Sequence, residues 1–120
     1  YQLAPFSQGK LVRVVYGEVF DVAVDIRKSS RNFSKWIGIN LSAKNKKQIW
    51  IPEGFAHGFL VISEEAEVLY KTTNFYNKDF ERSIKWNDKD LNITWPLEES
   101  LILSSKDNGA LSFKNSEVFQ

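Results

Sequence analysis

Residues Glu18–Asp25 read EVFDVAVD, and the reading of this octapeptide decides the fold. Phe20, Val22 and Val24 fall on one side of an extended chain and Asp21 and Asp25 on the other, the period-two alternation of a half-buried strand. The same period runs through Lys10–Tyr16 (KLVRVVY) before it and Lys35–Leu41 (KWIGINL) after it, where Ile37, Ile39 and Leu41 share a face. Gln48–Ile51, Phe59–Ile62, Val68–Thr73 and Arg82–Trp86 are further strand candidates. Turn-forming residues separate them at Gly17, Ser29-Ser30, Asn45, Pro52–Gly54, Glu64–Glu67 and Asn77–Asp79. Many short strands at regular spacing predict an all-β sandwich or barrel.

The tail has a different texture. Asp88–Leu91 is compatible with one helical turn, which Pro96 would stop at Trp95. Leu101–Leu103 is apolar, and Ser104–Gly109 is polar with Gly109 as a turn former. The expected outcome is a segment that packs back on the sheet and delivers Lys106 and Asp107 to a site. Trp36, Trp50, Trp86 and Trp95 read as packing residues.

Size and composition bound the function. A chain of 120 residues makes one domain, residues 1–120. Nothing approaches the run of about 18 apolar residues that crosses a membrane, so a soluble chain with no membrane partner is expected. A formal charge of +1, with Lys44-Asn45-Lys46-Lys47 as the one basic cluster, argues against a nucleic-acid partner. Without cysteine there is no disulfide, thiolate or cysteine-zinc chemistry, and a single histidine speaks against a metal centre. The chain opens on Tyr1-Gln2 and contains no methionine. It is therefore expected to be a fragment or a processed product, and with no charged-then-apolar leader in view a cytoplasmic location is expected.

Chemistry concentrates in Ile49–Thr73, IWIPEGFAHGFLVISEEAEVLYKTT, which holds the only histidine, His57, and Tyr70. The Pro52-Glu53-Gly54 turn precedes one and the Glu64–Glu67 turn the other. Both rings are thus expected to project from neighbouring strands, where a histidine and a tyrosine can make an acid/base pair. Taken singly each has a packing reading: His57 as a hydrogen-bonded core residue, Tyr70 as a strand aromatic, Lys10 as a strand-opening lysine, Asp107 as a loop aspartate, Tyr76 as core and Lys106 as a solvated cation.

The wording of the whole chain narrows this. GKLVRVVYGEVFDVAVDIR at 9–27, IWIPEGFAHGFLV at 49–61, LYKTTNFY at 69–76, IKWND at 84–88 and LSSKD at 103–107 together resemble the dTDP-4-dehydrorhamnose 3,5-epimerases, in the same order and with similar gaps, as far as Phe113. The phrase from Pro52 through the HGF at His57–Phe59, with YKTT thirteen residues after the histidine, carries the resemblance most specifically.

The resemblance implies a cupin-like double-sheet antiparallel jelly roll with a short C-terminal helical turn, a homodimer, and cofactor- and metal-independent epimerisation of a dTDP-4-keto-6-deoxy sugar at C3, C5 or both. In that chemistry the ketone acidifies the hydrogens on its neighbouring carbons. A base removes one from one face, and an acid returns a proton to the other. By resemblance Tyr70 is the acid and Lys10 the cation beside the enolate oxygen. His57 is a hydrogen-bonding residue at the keto end, and Asp107 is the carboxylate that orients the basic histidine. Tyr76 is implied to pack on the nucleotide base and Lys106 to lie near the diphosphate. The family's abstracting histidine lies in an Arg-Gly-Leu-His motif immediately before the Tyr-Gln that matches Tyr1-Gln2. This chain is accordingly expected to be truncated at its N-terminus, lacking that base and roughly the first third of such an enzyme. Two alternatives stay open: a non-catalytic sugar-nucleotide-binding jelly roll, and an interaction domain whose sheet edges pair with another chain.

Overall fold

One residue, Gly17, separates strand β1 (Lys10–Tyr16) from strand β2 (Glu18–Asp25), and the two strands belong to different sheets. Gly17 has φ +72°, and a Cβ there would lie 2.1 Å from the Glu65 carbonyl oxygen, so the corner needs glycine. In the computed structural model, which describes residues 1–97 and 99–120, four further strands follow: β3 (Trp36–Ser42), β4 (Gln48–Ile51), β5 (Phe55–Val61) and β6 (Glu67–Thr72). They form two three-stranded antiparallel sheets, β4-β1-β6 and β3-β2-β5, the double-sheet jelly-roll arrangement. The octapeptide that opened the sequence reading is the central strand of its sheet.

Register fixes which side chains meet. Val19, Asp21 and Ala23 of β2 stand opposite Leu41, Ile39 and Ile37 of β3 and opposite Val61, Phe59 and His57 of β5. Val12 and Val14 of β1 stand opposite Tyr70 and Val68 of β6. Buried Val12, Val14, Val19, Ala23, Leu41 and Ile51 make the core between the sheets, each large aliphatic side chain contributing about 1.5–3 kcal/mol. The reverse face of β2 is also covered: Val22, Val24, Ile26 and Leu91 form a second buried cluster, with Trp36, Ile84, Trp95 and Phe113 packed on it. The tail therefore packs back on the sheet as expected. The alternation in β2 separates two interiors rather than inside from outside, because Asp21 is 0 % exposed and Asp25 2 %.

Several boundaries differ from the sequence expectation. Strand β5 begins at Phe55, not Phe59, because residues 55–61 pair one for one with residues 25–19 of β2. His57 thus sits within a strand. Arg82–Trp86 forms no strand. Glu81 and Ile84 instead make isolated bridges to Gln2 and Leu111, each serving a different segment. Asp88–Leu91 is a turn rather than a helix: Asp88 Oδ1 accepts from the Asp90 and Leu91 amides, and Asn92 at φ +47° leaves helical space. Helical turns in the tail fall at Lys78–Phe80, at α1 (Ser105–Asn108) and at Phe113–Asn115. Ser104 caps α1 by accepting the Asp107 amide, and Gly109 closes it. Trp36 and Trp95 pack on the second cluster, and the Trp95 Nε1–H donates to the Trp86 carbonyl. Trp50 is 55 % exposed. Among the described residues no helix is long and apolar enough to cross a membrane.

Candidate functional site

His57 and Asp21 meet because β5 pairs with β2. Ala23 is the residue opposite His57, and Asp21 lies two positions along on the same inner face. His57 Nε2 approaches Asp21 Oδ2 to 2.8 Å, with side-chain exposures of 10 % and 0 %. A carboxylate so buried is costly without a partner, and the imidazole supplies one. Asp21 Oδ1 is the one buried side-chain oxygen among the described residues with no hydrogen-bond partner. Its field reaches Lys10, the first residue of β1 on the opposite sheet. Burial pushes the Lys10 ammonium below the ordinary lysine pKa, and Lys106 pushes it further, while Asp21 and Glu81 hold it up.

Tyr70 enters from the other sheet, so β5 and β6 are not the neighbouring strands the sequence suggested: β5 pairs with β2 and β6 with β1. Its register partner Val12 is fully buried in the core between the sheets, and Lys10 lies two residues before Val12 on that same inner face. Tyr70 itself is 61 % exposed, at the open rim where β6 is the edge strand.

A second group lies on the tail side. The Tyr76 hydroxyl donates to Glu81 Oε2 at 3.0 Å, and Lys106 Nζ donates to Glu81 Oε1 at 2.7 Å. Glu81 therefore ties together the aromatic and the cation that the sequence singled out. The Lys106 hydrogen bond lowers the Glu81 pKa, and Glu81 in turn raises those of Lys106 and Tyr76. Asp107 follows Lys106 on α1.

A cleft of about 1050 Å³ brings His57, Tyr76, Glu81, Lys106 and Asp107 onto one surface, beside apolar residues of β5 and the tail. Tyr70 and Lys10 are not among the described residues that line it. They belong to the β1–β6 side of the space between the sheets. His57 pairs with Asp21 rather than with Asp107. No group of three or more His, Cys, Asp or Glu side chains among the described residues could hold a metal ion.

The sequence reading missed Asp21, Glu81 and Gln2. Asp21 had a signal: it is an acid flanked on its own face by Val19 and Ala23, within a strand whose other face is also apolar. Glu81 lies in an irregular segment and carried none. Gln2 was a letter of the Tyr-Gln match, with nothing to say that its amide is buried.

The family model described as dTDP-4-dehydrorhamnose 3,5-epimerase matches residues 1–115. A dTDP-4-dehydrorhamnose 3,5-epimerase of Shigella flexneri is 63 % identical over 119 residues, which are 99 % of this chain and 65 % of that protein. The crystal structure of dTDP-6-deoxy-D-glucose-3,5-epimerase RmlC from Legionella pneumophila, in complex with dTDP-4-keto-L-rhamnose, superimposes with a TM-score of 0.94 at 50 % identity. The match covers 98 % of this chain and 62 % of that one. The Bacillus anthracis dTDP-4-dehydrorhamnose 3,5-epimerase, with TDP and PPi bound, gives a TM-score of 0.90 at 43 % identity, covering 93 % and 63 %. The chain thus spans a little under two thirds of the length of these relatives.

Proposed function

Because the chain belongs to the dTDP-4-dehydrorhamnose 3,5-epimerase family, we propose that it forms the larger part of an isomerase that epimerises a dTDP-4-keto-6-deoxy sugar at C3, C5 or both. The observation that carries the reading is the placement of Lys10. A cation held below its ordinary pKa by burial, on the inner face of the sandwich and within reach of the Asp21 field, is suited to stabilise an oxyanion.

A base takes a proton from a carbon beside the ketone, and the C–H electron pair moves onto the carbonyl oxygen. The enolate oxygen then bears the negative charge that Lys10 meets, an interaction stronger in the enolate than in the neutral ketone. Tyr70 delivers its hydroxyl proton to the opposite face of the carbon; the protonated base then releases its proton to solvent as the phenolate takes one up, so no net proton is consumed. His57, held by Asp21, hydrogen-bonds the keto end. Asp107 orients the imidazole that serves as base. By the resemblance His57, the only histidine of the 120 residues, has the hydrogen-bonding role and not that of the base, so we assign the base to none of them. Tyr76 stacks on the nucleotide base, and Lys106 meets the diphosphate as a point charge.

The proposal includes a homodimer in the cytoplasm. Val15, Trp50 and Leu69 lie exposed on the outer face of the β4-β1-β6 sheet, an apolar area suited to a second copy; sedimentation at micromolar concentration tests it.

The chemistry is tested by incubating the native polypeptide containing these residues with dTDP-4-keto-6-deoxyglucose in D2O. Deuterium entering C3 or C5, read by mass spectrometry and NMR, supports the proposal. Binding of dTDP without exchange would reduce the function to nucleotide-sugar binding, and absence of both would overturn the reading.

A further inference from the structure

Gln2 is buried, at 4 % exposure, and its amide is fully engaged. Its Nε2 donates to the Phe6 carbonyl at 2.7 Å and to the Phe75 carbonyl at 3.1 Å, while Oε1 accepts the Asn77 amide at 2.8 Å. Phe75 and Asn77 flank Tyr76 on either side. The Gln2 backbone makes the antiparallel bridge to Glu81, bracketed by Leu3 N–H to the Phe80 carbonyl and Arg82 N–H to the Tyr1 carbonyl. One residue therefore holds both the segment that presents Tyr76 and the segment that presents Glu81.

We propose that Gln2 is a positioning residue for the Tyr76–Glu81–Lys106 chain, setting the phenol against the carboxylate that fixes Lys106. Its two ends do different work. The side chain fixes the backbone around Tyr76, and the main chain fixes the backbone at Glu81, so the 3.0 Å hydroxyl-carboxylate contact follows from one anchor. Only a primary amide of this length can donate to two carbonyls and accept from an amide at once. Glutamate would face two carbonyl oxygens with acceptors, methionine would satisfy none of the three, and asparagine is shorter by one bond of about 1.5 Å. An exposed phenol on an irregular segment would otherwise give up rotamer and backbone freedom when it engages a ligand.

The consequence for nucleotide binding rests on the role proposed for Tyr76 and Lys106; the consequence for Tyr76 itself does not. The experiment compares Gln2→Met, Gln2→Glu and the milder Gln2→Asn with the unaltered chain, using Val14→Ala, in the core between the sheets and outside the cleft, as a destabilised control. The Tyr76 hydroxyl is titrated by carbon NMR at the ring Cζ, with Glu81 and Lys106 as the charged groups that face it. In the unaltered chain Glu81 holds that titration above the ordinary tyrosine range. It is expected to fall back toward that range in any folded Gln2 variant and to stay raised in Val14→Ala. In parallel, affinity for dTDP should fall about tenfold, the size of one lost hydrogen bond. A raised titration retained in the folded Gln2 variants, or equally lost in Val14→Ala, overturns the inference. A titration that moves while dTDP affinity does not supports the role of Gln2 and counts against the nucleotide role of Tyr76 and Lys106.

Discussion

His57 Nε2 and Asp21 Oδ2 lie 2.8 Å apart between neighbouring strands of one sheet, and the carboxylate is wholly enclosed. The pair spans 36 residues of sequence, yet it follows directly from the β2–β5 register. A lone histidine in an apolar run and a lone aspartate in a valine-rich strand explain each other's presence in the core. Neither is comfortable there alone.

Asp21→Ala should leave His57 Nε2 without its partner and destabilise the fold by about 1–3 kcal/mol, the cost of orphaning a buried hydrogen-bonding group. His57→Ala alone should also destabilise, through the carboxylate left behind. The double variant should cost less than the two together, with a coupling energy of about 0.5–3 kcal/mol measured in urea. Strict additivity would mean that the pair contributes nothing beyond its packing.

Asp25 gives a pH dependence with a defined sign. The Arg27 guanidinium donates to both of its carboxylate oxygens, at 2.9 and 2.7 Å, and the Ser30 hydroxyl adds a third bond at 2.6 Å. These hold the Asp25 pKa down to about 2. A depressed carboxylate stabilises the fold above its unfolded pKa of about 3.9 and loses that contribution as pH falls through the folded value. Asp25 is 2 % exposed, so the shift of nearly two pH units converts to about 2 kcal/mol, lost between about pH 4 and pH 2. Denaturation midpoints across that window should show the loss. Arg27→Ala should remove much of it by lowering stability at neutral pH, leaving a flatter acid limb.

Gly17→Ala should destabilise more than its size suggests. The positive φ and the 2.1 Å approach of the Glu65 carbonyl combine backbone strain with a steric clash that no side-chain rotation relieves. A loss of about 1–3 kcal/mol is expected, read as a shift in thermal midpoint. Gly58→Ala is the contrast, since a Cβ at Gly58 meets nothing within 4 Å. Equal effects at the two glycines would argue against a special role for the corner.

The fold was legible because strands declare themselves by alternation. Lys10–Tyr16 and Glu18–Asp25 have the boundaries that the pattern gave, and Gly17 stood out between them. The pattern failed where pairing is a property of the partner. Phe55 joins β5 only because Asp25 lies opposite it, and Arg82–Trp86 looks like a strand but has no strand beside it. The candidate site could be named by residue type and not by geometry. His57, Tyr76, Lys106 and Asp107 do share a cleft. Their immediate partners Asp21 and Glu81, however, come from elements distant in sequence, and a single chain of letters does not display which acid lies beside which base. Resemblance supplied roles for Tyr70 and Lys10. The register places both on the inner face of β1 and β6, while His57 comes from the facing sheet.

That last placement makes Tyr70→Phe the most informative variant for the chemistry. Inversion needs two proton-transfer groups on opposite sides of the sugar. Tyr70 stands opposite Val12 in one sheet and His57 opposite Ala23 in the other, so the proposed acid and the residue proposed to hydrogen-bond the keto end come from facing sheets, and the base that works against Tyr70 is neither of them. Removing the hydroxyl leaves proton abstraction and the Lys10 cation untouched. In D2O the Tyr70→Phe form of the native polypeptide should therefore still wash deuterium into the carbon beside the ketone by return from the abstracting side. Inverted product should fall by about 10²–10⁴-fold, the usual contribution of a general acid. Lys10→Ala should slow both processes together, because the enolate that they share loses its counter-charge. Equal loss of exchange and inversion in Tyr70→Phe would assign the ring a packing role at the sheet rim instead.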